Sequence, residues 1–253
     1  MTWTDQIENS LNHLFAAIPR SKPHALKLHQ TRIIAHRGAH DAHITENTQA
    51  AFSQAVALGC WGIELDIHAT RDGVWVVNHD ATLKRLWRHN KAIKALSFQE
   101  LRTLVPDIPT LKEVITTHQN VHFFIEIKEP AQNYHHLAEL LSSLSAADDY
   151  HLLVLDAKLA FELAQVFVPA AILLVATHIN TAYFCRLSMD AKFGGVLGHY
   201  LLLTQAKIRA LKAANQQVGV GFIDSKNSLY REINRGMLWV FSNNVQALLN
   251  TQG

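Results

Sequence analysis

Acidic and imidazole residues in this chain stand where short apolar runs end. Ile33-Ile34-Ala35 leads straight into His36-Arg37-Gly38, which puts an imidazole and a guanidinium beside a flexible glycine. Glu64 and Asp66 are two residues apart within Gly62 to Ala69. In a strand that spacing sends both side chains off one face, about 6 to 7 Å apart. Phe123-Phe124-Ile125 runs into Glu126-Ile127-Lys128, a second same-face polar pair. Three acids turned toward one interior would repel and lose hydration, at a cost of roughly several kcal/mol per unpaired ion, unless a cation or proton compensates. A hard divalent ion is the simplest compensation, and oxygen-only ligation by Glu64, Asp66 and Glu126 suits Mg²⁺ or Ca²⁺ rather than Zn²⁺. The competing reading makes Glu64 a structural ion-pair partner of Lys128 or Arg37, or reverses the strand faces. Val76-Val77-Asn78-His79-Asp80 then supplies a second imidazole. Two His residues at one site suit a displacement in which one takes a proton from the nucleophile and the other gives one to the leaving oxygen.

The chain holds 16 His, so a pair alone says little. His13, His24, His29, His89, His118, His135, His136 and His151 read as solvated residues on helices or in loops. His68 continues the Glu64 and Asp66 face, where packing in the interior or against an insertion is favoured over lining a pocket. His40 and His43 lie in the loop after the first strand.

These groups need a scaffold that gathers strand ends. Strand patterns run Thr31 to Ala35, Gly62 to Ala69, Val121 to Ile127, Leu152 to Leu155, Ala171 to Ala176, Gly194 to Leu197, Val218 to Ile223 and Leu238 to Phe241. Helical patterns alternate with them: Thr48 to Leu58, Leu111 to His118, Tyr134 to Leu144, Lys158 to Phe167, Thr181 to Met189, Gln205 to Ala214, Ser228 to Asn234 and Val245 to Asn250. Alternating strands and helices give a parallel sheet with crossover helices. Eight such pairs predict a closed α/β barrel of the TIM type, with an open doubly wound sheet as the lesser alternative. Thr110 with Glu113 and Ser97 with Glu100 spell capping boxes. Residues 70–109 break the rhythm: Arg71-Asp72-Gly73 is a turn signal and Val74 to Asn78 a further extended run. This is an insertion above the second strand, on the side where barrels place their chemistry. Trp3, Ile7, Leu11, Leu14, Phe15 and Ile18 predict an amphipathic helix ending near Pro19, which caps the fold rather than lying on a membrane. A linker around Arg20 to Gln30 follows, leaving residues 31–253 as a single barrel domain.

Composition excludes several function classes. Lys plus Arg is 23 against 21 for Asp plus Glu, a formal charge of +2 that lacks the basic excess of a nucleic-acid binder. No apolar run reaches the ~18 residues that span a bilayer. The first ten residues carry Asp5 and Glu8 rather than a secretory leader. Two cysteines, Cys60 and Cys185, make no disulfide framework or zinc spacing, so a cytoplasmic location is expected.

From Thr31 to Lys128 the motifs recur in a known order. His36-Arg37-Gly38, Glu46-Asn47-Thr48 leading to Ala51-Phe52, Gly59, Glu64-Leu65-Asp66 with Thr70-x-Asp72-Gly73, Val77-x-His79-Asp80, Ile108-Pro109-Thr110-Leu111 and Ile125-Glu126-Ile127-Lys128 resemble the glycerophosphodiester phosphodiesterase family. The resemblance implies a TIM-barrel hydrolase that splits glycerophosphodiesters into glycerol 3-phosphate and an alcohol with a divalent metal. His36 and His79 then match the acid-base pair, Glu64, Asp66 and Glu126 the metal ligands, and Arg37 and Lys128 the phosphate-holding positions. Glu46 and Asn47 match a motif that shapes the site edge, although Asn47 could instead cap the following helix. In the family mechanism the glycerol 2-hydroxyl attacks first and forms a cyclic phosphate that water opens. Thr45 stands where members usually have Pro. Nearer the C-terminus, Gly221-Phe222-Ile223-Asp224 replaces a Trp-Thr-Val-Asn-like strand and Ser242-Asn243-Asn244-Val245 a Thr-Asp-x-Pro-like segment. Losing the Trp removes a pocket wall that Phe222 or a loop residue would have to replace. Two alternatives accompany this reading: a lysophospholipid-type phosphodiesterase whose N-terminal helix touches a membrane surface, and a catalytically silent barrel that binds a phosphate ligand or a partner.

Overall fold

The computed structural model describes residues 12, 14–131 and 134–251. Its strands are β1 (Arg32–Ala35), β2 (Gly62–Ala69), β3 (Trp75–Val77), β4 (His122–Ile127), β5 (Tyr150–Val154), β6 (Ile172–Ala176), β7 (Gly195–His199), β8 (Gln217–Gly221) and β9 (Trp239–Ser242). Eight of them run parallel in the order β1-β9-β8-β7-β6-β5-β4-β2, and the β1–β2 pairing closes the ring. β3 is the exception: it pairs antiparallel with the end of β2, within the insertion expected there. The expected TIM barrel is therefore the observed fold.

Period-two alternation sorts the strand residues between two cores. Ile33, Ile63, Leu65, Phe123, Ile125, Leu152 and Val154 are buried against the surrounding helices. Ile34, Phe124, Leu153, Leu173, Leu197, Trp239 and Phe241 pack together inside the ring. Gly219 makes room for them, since a Cβ there would lie 2.6 Å from Leu197 and 3.0 Å from Phe241. Above this apolar layer the same faces carry His36, Glu64 and Glu126. Both capping boxes form, at Ser97 with Glu100 and at Thr110 with Glu113.

Three expectations are corrected. The stretch expected as a linker contains a helix, Ala25–Gln30, whose first turn is capped by His24 Nδ1 and which buries Leu28. His151 and His118 are not solvated. His118 is buried beside Phe52 and bonds to Gln49 at 2.9 Å. β5 begins two residues earlier than its apolar run, so His151 enters the barrel interior. Of the expected N-terminal helix, Trp3, Ile7 and Leu11 lie outside the described residues, as does His13, while Asn12 and residues 14–17 are helical.

His151 meets His122 among Trp61, Phe124 and Trp239. The Asp148 carbonyl can only accept, so at 2.8 Å it takes the proton on His122 Nδ1. His122 Nε2 is then left to accept from His151 Nδ1–H, also at 2.8 Å. A proton added to the pair would go on His151 Nε2, leaving this hydrogen bond in place but setting an imidazolium among Trp61, Phe124 and Trp239 with no carboxylate beside it. Burial pushes His122 down to about 4 and, with His122 beside it, His151 to about 3. Both rings remain neutral in the folded chain while the unfolded chain binds protons below its ordinary value of 6.5. Stability is therefore full above that value and is lost as pH falls toward the folded values. Between pH 7.5 and pH 5 the pair should cost roughly 4 kcal/mol in urea unfolding, about half from each ring. His151→Asn, which keeps a donor for His122, should remove about half of that loss; an unchanged pH dependence would assign the acid sensitivity elsewhere.

Candidate active site

β1 ends in a turn that reverses at once. Arg37 and Gly38 both have positive φ, 58° and 80°. A Cβ at Gly38 would sit 2.7 Å from that of Ala51, so only glycine admits the following helix so closely. The turn aims the Arg37 backbone N–H at Glu64 Oε2, 2.9 Å away, and brings the Arg37 side chain to Glu46 Oε1 at 3.1 Å. Asn47, also at positive φ, donates from Nδ2 to Asp66 Oδ2 at 2.8 Å and accepts the Asp66 backbone N–H on Oδ1 at 3.3 Å. Asn47 thus holds a carboxylate and does not cap the helix. Thr48 does that, accepting from the Ala51 N–H.

Glu64, Asp66 and Glu126 come together as the spacing predicted, with one oxygen of each within 4.8 Å of the others. Asp66 lies directly opposite Glu126 in the parallel β2–β4 register. Lys128 Nζ pairs with Glu126 and lies 2.9 Å from Asp66 Oδ1. Glu64 has no such partner. Among the described residues its carboxylate meets the Arg37 N–H and, at 3.8 Å, His36 Nε2, so the structural ion pair with Lys128 or with the Arg37 side chain does not form. The electrostatics follow. Burial first, then Asp66 and Glu126, push the Glu64 carboxyl well above its ordinary value. Burial also raises Glu126. Asp66 is lowered, because Lys128 and Arg37 outweigh its burial. Lys128 is raised because the same two acids outweigh its own burial. The cluster is short of positive charge at Glu64, and its all-oxygen donor set suits a hard divalent cation.

His36 and His79 line one cavity of about 380 Å³ together with Arg37, Glu64, Glu126 and Lys128. His36 Nδ1 lies 2.7 Å from Asn243 Oδ1. Asn243 in turn bonds to Asp224, through its backbone N–H at 2.7 Å and Nδ2 at 3.3 Å. Because Nδ2 faces a carboxylate, Oδ1 must face the imidazole, and the His36 proton sits on Nδ1 with Nε2 left as a base. Burial and the Arg37 guanidinium push His36 down to about 4, so that base is free at neutral pH. His79 Nδ1 lies 2.8 Å from Asp80 Oδ1. Asp80 holds Arg85 at 2.5 Å, and Arg85 reaches Glu46 Oε1 at 2.7 Å. A chain of alternating charge therefore runs along the rim from Asp80 to Arg37.

All nine residues singled out from the sequence sit at this mouth or directly behind it. His68 does not line it: its Nε2 meets the His79 carbonyl at 3.2 Å, a packing role behind the loop. A larger groove of about 610 Å³ runs past His43, Ile44, Gln49 and Pro106 and holds none of the carboxylate cluster. The sequence reading missed Arg85, Asp224 and Asn243. The last two had a signal. Where the family pattern has Asn in the penultimate strand and Asp in the last, this chain has Asp224 and Asn243, the same pair exchanged, and the structure places the two in contact.

Comparison with known proteins agrees with this arrangement. A profile of the Glycerophosphoryl diester phosphodiesterase family matches residues 36–166, just over half of the chain. Mouse glycerophosphodiester phosphodiesterase 1 is 40% identical over 111 residues, 38% of this chain and 33% of that protein. A probable glycerophosphodiester phosphodiesterase of Mycobacterium tuberculosis is 29% identical over 214 residues, 78% of this chain and 81% of that protein. The chain thus spans about a third of the mouse relative's length and most of the mycobacterial one's. Among solved structures, a glycerophosphodiester phosphodiesterase from Thermotoga maritima superposes with a TM-score of 0.74 at 24% identity, covering 87% of this chain and 98% of that one. A phosphodiesterase from Oleispira antarctica in complex with sn-glycerol-3-phosphate gives 0.73 at 21% identity, over 87% and 96%. These likenesses carry the barrel, and the profile match over the segment that holds His36, Glu64, Asp66, His79 and Glu126 carries the membership: the chain belongs to the glycerophosphoryl diester phosphodiesterase family.

Proposed function

We propose that the protein hydrolyses glycerophosphodiesters to glycerol 3-phosphate and an alcohol. The observation that carries this is one cavity lined by His36, His79, Arg37, Lys128 and two acids, Glu64 and Glu126, that cluster with Asp66 directly behind them. Glu64, Asp66 and Glu126 would hold Mg²⁺ or Ca²⁺, which supplies positive charge against the phosphate as negative charge builds on it. Arg37 and Lys128 bind and orient the phosphate. Arg37 Nε lies buried 3.5 Å from Asp66 Oδ2 and Nη1 donates to Glu46 Oε1 at 3.1 Å, so two carboxylates fix the guanidinium at the cavity that a phosphate would enter. His36 Nε2 takes the proton from the attacking hydroxyl, the glycerol 2-hydroxyl in the first step, and His79 gives one to the departing alcohol oxygen. Glu46 and Asn47 hold Arg37 and Asp66 at the site's edge.

Residues 31–253 form the catalytic domain in this reading. Residues 1–30 are an extension, whose described part contacts the barrel: Asn227 Nδ2 donates to the Ala16 carbonyl at 2.7 Å, and Arg231 lies 4.6 Å over the Phe15 ring. No helix among the described residues is long and apolar enough to cross a membrane. Cys60 and Cys185 are buried free thiols, in keeping with a reducing, cytoplasmic setting. The test is release of glycerol 3-phosphate from a panel of glycerophosphodiesters with and without chelator. Absence of turnover on every diester with Mg²⁺ or Ca²⁺ present overturns the proposal.

Asn243 and Asp224 give a sharper check on His36. Asn243→Asp sets two carboxylates against each other, and Asp224→Asn leaves the amide without its acceptor. Each single variant should lower kcat by about tenfold with little change in KM. The double variant Asp224→Asn/Asn243→Asp restores one acid and one amide and should recover most of the loss. Additive losses would show that the pair does not act through His36.

A further inference from the structure

The cavity has two unlike halves. The half over β1, β2 and β4 holds its charged side chains, and the half over β5 to β8 holds none. There Leu153, Leu155, Val175, Leu197, Leu202 and Phe222 form an apolar wall. Leu155 and Phe222 are 44% and 45% exposed, so this half is the open end of the cavity. Phe222, at positive φ, spans the two halves, with its ring 6.4 Å from that of His36 and 5.3 Å from that of His199.

Besides the exposed His178 at its edge, the apolar wall is interrupted by two buried polar atoms that have no partner among the described residues. His199 is 8% exposed, and its Nδ1 accepts the Leu201 backbone N–H at 3.2 Å. Its remaining proton is therefore on Nε2, a buried donor that nothing among the described residues accepts. Thr177 Oγ1 is likewise buried and unpaired. A buried donor left unpaired is a cost to the folded protein that a ligand oxygen would recover. Burial, with Arg231 near by, pushes His199 down to about 4, so the ring is a neutral donor at physiological pH. A quaternary ammonium would find no carboxylate in this half, and the phenyl rings that line the cavity are two, Phe222 at the open end and Phe241 at its floor, in place of an aromatic cage.

We infer that the β5 to β8 half is the leaving-alcohol subsite, and that it selects an uncharged alcohol whose oxygen accepts from His199 Nε2–H and whose carbon face lies on Phe222 and Leu202. The inference rests on the proposed phosphodiesterase activity and deepens it. The retained glycerol is common to every substrate of that activity, whereas the open end of the cavity leaves room for a variable group.

The experiment measures kcat/KM for three diesters of glycerol 3-phosphate, with glycerol, choline or methanol as the alcohol. The wild type should prefer the glycerol diester to the choline diester by about tenfold or more. His199→Phe should lower kcat/KM for the glycerol diester by about tenfold, the worth of one hydrogen bond to a buried donor, and leave the methyl diester within about twofold. His199→Gln, which can place a donor near the same point, should recover part of the loss. Leu155→Glu, at an exposed edge, should shift the preference toward choline. Unfolding midpoints confirm that each variant is folded. Equal or better turnover of the choline diester overturns the inference, as does a His199→Phe loss that is the same on all three diesters, which would place the common glycerol in this half. Both of those results leave the phosphodiesterase reading standing, whereas no turnover of any diester overturns both.

Discussion

Glu64→Gln should make the metal-free protein more stable and the enzyme nearly inactive. Glu64 is 2% exposed and is the member of the cluster with no cationic side chain of its own. Its charge is opposed by burial and by two neighbouring acids, so in the metal-free protein the carboxylate is a net cost. The amide removes the charge and keeps an oxygen for the Arg37 N–H. Its new NH₂ can donate to Asp66 or Glu126, whose oxygens lie within 4.8 Å. The expected gain is about 1 to 3 kcal/mol, or a rise in Tm of roughly 2 to 10 °C in chelator. Activity should fall at least about 10³-fold, because one ligand of the cation that offsets phosphate charge is lost. The two effects separate in one titration. Added Mg²⁺ or Ca²⁺ should raise the Tm of the wild type by mass action and should do so far less for Glu64→Gln. A variant less stable than the wild type in chelator, with an intact response to metal, would mean that Glu64 is a structural residue.

Much of this site was legible because parallel barrels tie chemistry to strand ends. The i, i+2 spacing of Glu64 and Asp66 and the run Glu126-Ile127-Lys128 each fix a face. The pairing of Asp66 with Glu126 then follows from the register of two adjacent strands. What the periodicity could not carry was the side-chain partners that come from distant parts of the chain. Arg85 reaches Glu46 across 39 residues, and Asn243 reaches His36 across 207. No local pattern reports such contacts. The two misread histidines have different causes. β5 begins at Tyr150, before its first aliphatic residue, and an imidazole that finds a second imidazole as partner is tolerated inside a barrel. His118 ends a helix and turns inward onto Phe52 and Gln49, a contact 69 residues away that no local pattern reports. The helix Ala25–Gln30 was hidden by its composition, in which Lys27 and His29 flank a single buried apolar residue, Leu28.

Alanine at His36 and at His79 should be distinguishable by the leaving group. The partner of His36 is an amide oxygen and its neighbour is the Arg37 guanidinium, so the ring is neutral and Nε2 is a proton acceptor. The partner of His79 is the Asp80 carboxylate, which gives a proton on that ring a counter-charge. These surroundings make His36 the base toward the attacking hydroxyl and His79 the acid toward the departing oxygen. On diesters of ordinary alcohols both His36→Ala and His79→Ala should lose about 10² to 10⁴ in kcat. With a p-nitrophenyl ester the departing phenolate needs no proton. His79→Ala should then fall within about tenfold of the wild type, while His36→Ala, which has lost the group that activates the nucleophile, should stay at its full deficit. The opposite pattern would exchange the two roles, and equal deficits on both esters would mean that neither ring protonates the leaving group. The Asp224 and Asn243 exchange bears on the same point. It moves the negative charge one residue further from His36, which is tolerable for a ring that must accept a proton only transiently and would be costly for one that had to carry it at rest.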